Sequence, residues 1–278
     1  MAITAQDVNK LRKETGAGMM DCKKALQEAD GDFEAAIDLL RKKGQKVSAS
    51  RADRETTEGG IFVETNTSGS EGYLVAISCE TDFVAKNNDF QQLGKSILKA
   101  AVNNSATSAE ELAAADMGDG RSVQDHLTDM MGKIGEKLEV AAFERLSGGT
   151  VIPYVHSNSK LGVIVALDGA NGDQVSEIGR DVAMQIAAMN PVAVDKDGVD
   201  SSVVERELAV GREQALAEGK PEAMLDKIAE GKLNKFYKEN TLLNQAFVKD
   251  NSKTITQVLK DIDGALTVSN FRRVSIGA

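Results

Sequence analysis

No tryptophan occurs in these 278 residues, and there are only two cysteines, two histidines and three prolines. Cys22 and Cys79 form neither a disulfide framework nor a zinc spacing, so a reducing, cytoplasmic setting is expected. His126 and His156 leave little material for metal or acid–base chemistry. No apolar run is long enough to span a bilayer, and the N-terminus, MAITAQDVNKLRKETG, is too polar for a signal peptide, so no membrane contact is expected. A net charge of −10 argues against direct nucleic-acid binding. The acidity is uneven, because residues 1–50 hold nine basic against eight acidic side chains.

Catalytic signatures are missing as well. The chain has no phosphate-binding, dinucleotide-binding, zinc-protease, dithiol or nucleophile-elbow motif. Cys22 falls on the apolar side of a short helix and Cys79 ends a strand, so both read as small buried residues. The plentiful carboxylates include no separated acid/base pair. This inventory fits a protein that works by binding, without enzymatic activity and without a cofactor.

What is present begins with a small helical head. Val8 and Leu11, then Cys22, Ala25, Leu26 and Ala29, then Phe33, Ala36, Ile37 and Leu40 fall at helical spacing, which predicts three short helices within residues 4–44. TGAG (Thr15–Gly18) and ADGD separate them, and Asp32 is a good cap for the third. Adjacent helical residues point about 100° apart. At least one of Met19 and Met20 is therefore expected to lie off the buried face, where it can offer soft apolar surface to a partner while the other packs inward; the alternative is that both are partly buried in the head. Residues 45–58, QKVSASRADRETTE, lack periodicity and read as a linker, with the head placed at 1–50 and the linker proper at 51–58.

The body repeats itself. GGIFVETNTSGSEGYLVAIS (59–78) aligns with GTVIPYVHSNSKLGVIVALD (149–168) at an offset of 90, and both read as β-hairpins. DFQQLGKSILKAAV aligns with QVSEIGRDVAMQIA at an offset of 85, matching Phe90, Leu93, Ile97 and Ala101 to Val175, Ile178, Val182 and Ile186. HLTDMMGKIGEKLEVAAFERL (126–146) aligns with TITQVLKDIDGALTVSNFRRV (254–274) at an offset of 128. Each copy is hairpin, helix, variable segment, helix and strand, an α+β unit of antiparallel strands covered by helices. The two core units span 59–146 and 147–278.

The changing offset isolates what the framework does not need. The step from 90 to 85 places about five additional residues within Thr81–Asn88 of the first copy. There, Thr81-Asp82-Phe83-Val84 puts an aromatic and a carboxylate in what reads as a loop, and loops of this kind carry function. The alternative is that Phe83 folds back on its own sheet as a lid. The step from 85 to 128 places about 43 additional residues at roughly 195–237 of the second copy. Gly219-Lys220-Pro221 splits that segment, with Pro221 at a favourable first helical position. Val204, Leu208 and Ala215 on one arm face Leu225, Ile228, Leu233 and Phe236 on the other, an inserted antiparallel helical hairpin within about 195–240.

LRKETGAGMMDCKKAL (Leu11–Leu26), ETDFVAKN (Glu80–Asn87), KIGE (Lys133–Glu136) and PYVHSNSKLGVIVAL (Pro153–Leu167) closely resemble elongation factor Ts, the bacterial guanine-nucleotide exchange factor for elongation factor Tu. The resemblance covers nearly the whole chain. It implies an α+β fold with an N-terminal three-helix, ubiquitin-associated-like domain, two repeated core units and a coiled-coil-like helical hairpin. By resemblance, Arg12, Met19, Met20 and Lys23 contact the nucleotide-binding domain of GDP-bound elongation factor Tu. Thr81, Asp82, Phe83 and Val84 disturb its magnesium site, Ile134 and Gly135 support that contact, and His156 faces the partner's other domains. The sequence ends at FRRVSIGA, whereas some family members continue into a further helix that docks on the partner, so the head and core are expected to carry the affinity. Two other readings compete: a general interaction adaptor working through the helical head, and a thiol-dependent activity at Cys22 or Cys79.

Overall fold

The computed structural model describes residues 3–277. The head consists of α1 (Ala5–Thr15), α2 (Met19–Glu28) and α3 (Phe33–Ser50). Helix α1 starts at a Thr4–Asp7 capping box and stops at Gly16, whose φ of 67° ends it in the left-handed conformation. Val8, Leu11, Cys22, Ala25, Leu26 and Ala36 form the head's core. Helix α3 does not end where the 4–44 pattern does; residues 45–50, expected in the linker, continue it. The reason is tertiary packing. Gly44 is buried against the first core unit and Val47 packs on that unit's core, too few positions to register as a helical stripe.

The first unit runs β1 (Glu58–Thr65), β2 (Glu71–Cys79), α4 (Asp82–Ala85), α5 (Asn88–Asn103), α6 (Ala109–Ala114), α7 (Val123–Ile134) and β3 (Leu138–Ser147). The second runs β4 (Thr150–Val155), β5 (Leu161–Asp168), α8 (Asp173–Met189), α9 (Ser201–Ala217), α10 (Leu225–Asn240), β6 (Ala246–Phe247), β7 (Asp250–Thr254), α11 (Ile255–Ile262) and β8 (Thr267–Ser275). Each unit has an antiparallel three-stranded sheet, β1-β2-β3 and β4-β5-β8, with the hairpin's second strand in the centre. The mixed fold of N-terminal helices and antiparallel sheets agrees with the α+β reading.

The duplication extends to irregularities that apolar patterning does not reveal. The β2–β3 ladder slips between Ala76 and Ile77, and the β5–β8 ladder slips between Ala166 and Leu167, the same place in each copy. Ala141 and Ser269 are the residues left over, so each third strand carries an equivalent β-bulge.

Strand periodicity explains how the units join. Along β2, Tyr73, Val75, Ile77 and Cys79 face helices α5 and α7, while Leu74 and Ala76 face the other way. Along β5, Val163, Val165 and Leu167 face α8 and α11, while Ile164 and Ala166 face back. Ile61, Leu74 and Ala76 of one sheet share a single core with Val151, Ile164 and Ala166 of the other, their counterparts in the repeat. The sheets thus pack through equivalent faces, as in a two-fold dimer fused into one chain. Gly72 and Gly162 make the approach possible, because a Cβ on either would lie 2.5 Å from Val151 or 2.4 Å from Ile61. Both central strands are covered on two faces, and for this reason YLVAISC and VIVAL read as continuous apolar runs.

Helices α9 and α10 form the inserted hairpin. Its seam is narrow: Gly211, Ala215 and Ala229 are buried, and Val204, Leu208, Leu225, Ile228, Leu233 and Phe236 are half-buried. Pro221 precedes a short 3-10 turn, Glu222–Met224, and does not open the second arm as the spacing predicted. Among the described residues no helix is long and apolar enough to cross a membrane.

Candidate functional site

The segment expected as a loop after β2 contains one helical turn, α4. Thr81 has extended backbone (φ −127°, ψ 153°) and its hydroxyl accepts from the Val84 N–H at 3.4 Å, so Thr81 acts as an N-cap. Val84 and Ala85 are buried in the core of the first unit. With those two directed inward, the helical rotation sends Phe83 outward. It is 83% exposed, the most exposed large apolar side chain among the described residues, and does not form a lid on its own sheet. Asp82 is half-buried beside it and paired with Lys86 at 2.7 Å; that hydrogen bond holds its carboxyl below the usual range.

The turn is held from beneath by two carboxylates that sequence reasoning gave no role. Glu136 accepts from the Thr81 N–H at 3.1 Å and from its hydroxyl at 2.7 Å. Glu80 accepts from the Lys137 N–H at 2.7 Å and from the Arg51 guanidinium at 2.9 Å. Gln91 donates to the Ala85 carbonyl at 2.7 Å. Ile134 and Gly135 supply Glu136: Ile134 packs against the unit core, and Gly135, with φ 81°, caps α7 and turns the chain toward β3. Glu80 and Glu136 lie within ETDFVAKN and KIGE, so the available signal was the pairing of two distant motifs that each hold an acid.

Glu80 makes the bracket titratable. Burial raises its pKa, but the Lys137 N–H and the Arg51 guanidinium outweigh that and hold it below the ordinary 4.5. A carboxyl depressed in the folded state contributes stability above its unfolded pKa and loses it as pH falls through the folded value. Glu80→Gln is therefore expected to cost about 1–2 kcal/mol at pH 7. The gap to the parent should close as pH drops below 4.5. Denaturant unfolding at pH 7 and in acid checks this; an equal gap at both would show that Glu80's charge does not hold the turn.

Around the turn the two units meet. The β4–β5 turn approaches through the Ser159 carbonyl, which accepts from the Ile61 N–H at 2.8 Å, and through a Lys160–Glu58 ion pair at 3.0 Å. Asp82, Ala85 and Lys86 face Ser157–Lys160 across an open groove of about 720 Å³. His156 opens that turn, exposed, with Nδ1 2.9 Å from the Tyr154 hydroxyl. The head residues form a second patch. Arg12 and Lys23 are exposed, and Met19 and Met20 are 52% and 72% exposed. Both methionines, not one alone, lie off the buried face, because Cys22, Ala25 and Leu26 already fill the inward face of α2.

Chemistry at these surfaces is limited. Among the described residues no cluster of three or more His, Cys, Asp or Glu side chains could hold a metal ion. Cys22 and Cys79 are both buried. Burial, with the nearby Glu136 and Glu58 charges, pushes the Cys79 thiol up to about 12, so it is not a thiolate at neutral pH. The arrangement offers an exposed aromatic and an acid on a braced turn, and a second apolar patch flanked by cations.

The family model described as Elongation factor TS matches residues 80–278. The protein named Elongation factor Ts of Cytophaga hutchinsonii is 59% identical over 274 residues, 99% of each chain. That of Amoebophilus asiaticus is 57% identical over 278 residues, the whole of both chains. That of Christiangramia forsetii is 50% identical over 275 residues, 99% of each. With the duplicated core and the exposed TDFV turn in place, the chain belongs to the elongation factor Ts family of translation elongation factors.

Proposed function

We propose that the chain binds elongation factor Tu in its GDP-bound state and promotes GDP release, acting entirely by binding in the cytoplasm. The observation that carries this reading is Phe83, presented to solvent on a turn anchored by Thr81, Val84 and Ala85. Burying the ring in a partner cleft gains about 1.5–3 kcal/mol. That gain is available only in a conformation that opens the cleft. Opening disturbs the bound magnesium and the backbone that cradles the phosphates, which supply much of the nucleotide's affinity. Asp82 adds negative charge or a hydrogen-bond acceptor to the rearranged site.

The remaining residues divide the work. Arg12, Met19, Met20 and Lys23 of the head (1–50) hold the nucleotide-binding domain, across the short linker (51–58) from the first core unit (59–146). Thr81 and Val84 fix the turn, and Ile134 and Gly135 support it from the end of α7. His156, in the second unit (147–278), faces the partner's other domains. Coupling is reciprocal: returning nucleotide weakens the chain's hold as much as the chain weakened the nucleotide's. Each 1.4 kcal/mol of antagonism is about tenfold in affinity.

An adaptor working through the head alone is favoured by the exposed methionine pair, and it predicts that the TDFV turn is dispensable. Release of fluorescent GDP from elongation factor Tu, with and without the chain, separates the two.

A further inference from the structure

We infer that Gly44 and Gly132 are positioning residues that lock the head onto the first core unit, so that the Met19–Met20 patch and the Phe83 turn meet the partner as one rigid pair of contacts. The inference rests on the exchange reading and goes beyond it. Neither glycine is explained by a turn: both lie inside helices, α3 and α7, where a glycine costs about 1 kcal/mol relative to alanine. Close approach explains them. A Cβ on Gly44 would lie 2.7 Å from the Thr128 carbonyl oxygen, and one on Gly132 would lie 2.8 Å from the Gly44 Cα. The two helices therefore cross backbone on backbone, with no side chain between them to yield.

Both helices lead to the turn. Helix α7 ends at Ile134 and Gly135 and delivers Glu136 to Thr81. Helix α3 is followed by its C-cap Arg51, which holds Glu80. A third tie runs through Lys133, which pairs with Asp89 at the start of α5 and lies over Gly16, in the break that leads into Met19 and Met20; a Cβ at Gly16 would be 2.7 Å from its Nζ. Separating the helices at the crossing tilts the patch away from the turn. Two contacts on one rigid body reinforce each other only while their geometry allows both to engage, and the second contact is lost when it does not.

The test is a double-mutant cycle on the full chain, read as the concentration giving half-maximal GDP release from elongation factor Tu and as the plateau rate. Gly132→Ala is expected to raise the half-maximal concentration about tenfold and to change the plateau little. Met20→Ala should raise it similarly in the parent but add little in the Gly132→Ala background. Phe83→Ala should lower the plateau by the same factor in both backgrounds. Gly44→Ala should behave as Gly132→Ala does. If thermal melts show either glycine variant unfolded, Lys133→Met, which adds no bulk at the crossing, enters the same cycle and should reproduce the non-additivity in weaker form. Full additivity of Met20→Ala with the crossing or Lys133 variants would overturn the inference while leaving the exchange reading intact. Silence of both Met20→Ala and Phe83→Ala in the parent would overturn the exchange reading, and the inference with it.

Discussion

Replacing Phe83 by alanine is expected to slow partner-stimulated GDP release about tenfold to a hundredfold while leaving the fold unchanged. The rate effect follows from the about 1.5–3 kcal/mol that a buried phenylalanine ring contributes, since each 1.4 kcal/mol is a factor of ten. The neutrality of the fold follows from exposure: with 83% of the residue in water, little apolar contact is lost from this chain. Surface replacements of this kind stay within about 0.5 kcal/mol. Because Val84, Ala85 and the Thr81–Glu136 clamp hold the turn without help from the ring, the variant should keep the turn's shape and lack only its tip. Paired thermal melts and nucleotide-release rates check both halves. Unchanged release would remove the wedge from the mechanism, and a large loss of stability would mean that the ring packs on its own chain.

Leu74→Ala should do the reverse. Leu74 is fully buried between the two sheets, where it shares a core with its repeat counterpart Ile164. Truncating a buried leucine costs about 2–5 kcal/mol, because the contacts are lost and the walls relax only in part. For a chain of this size the melting temperature should fall by about 5–15 °C. Ile164→Ala should cost a similar amount, since the interface is built from equivalent faces. Release of GDP per folded molecule, measured below the transition, should stay near the parent value, because the turn hangs from the opposite, helix-facing side of the first sheet. Calorimetry on the two variants checks the stability claim. A neutral Leu74→Ala would mean that the sheets do not share a core.

These two residues also mark how far the sequence could be followed. Leu74 was legible, since the apolar run Tyr73–Ile77 recurs 90 residues later as Val163–Leu167. The five-residue excess that singles out Phe83 came from the same comparison. The shared β-bulge did not, because Ala141 and Ser269 change the ladder without disturbing the apolar pattern. The TDFV segment passed for a loop because a single helical turn is too short to show a period, although Thr81 carried the cap. Helical geometry required at least one of Met19 and Met20 off the buried face; that both are exposed follows from the rest of α2 filling its inward face. What holds the turn was hidden by distance: Thr81 and Glu136 are 55 positions apart, and no local rule relates them. The α3–α7 crossing was quieter still. Gly44 and Gly132 leave no apolar signature, and their meaning lies only in what a side chain there would strike.

Release of fluorescent GDP from elongation factor Tu, followed as this chain is titrated in, tests exchange most directly. The observed rate constant is predicted to rise with concentration to a plateau well above spontaneous release, and excess GDP is predicted to drive the chain off again. A rate that stays at the spontaneous value at every concentration, with the chain shown to be folded, would contradict it.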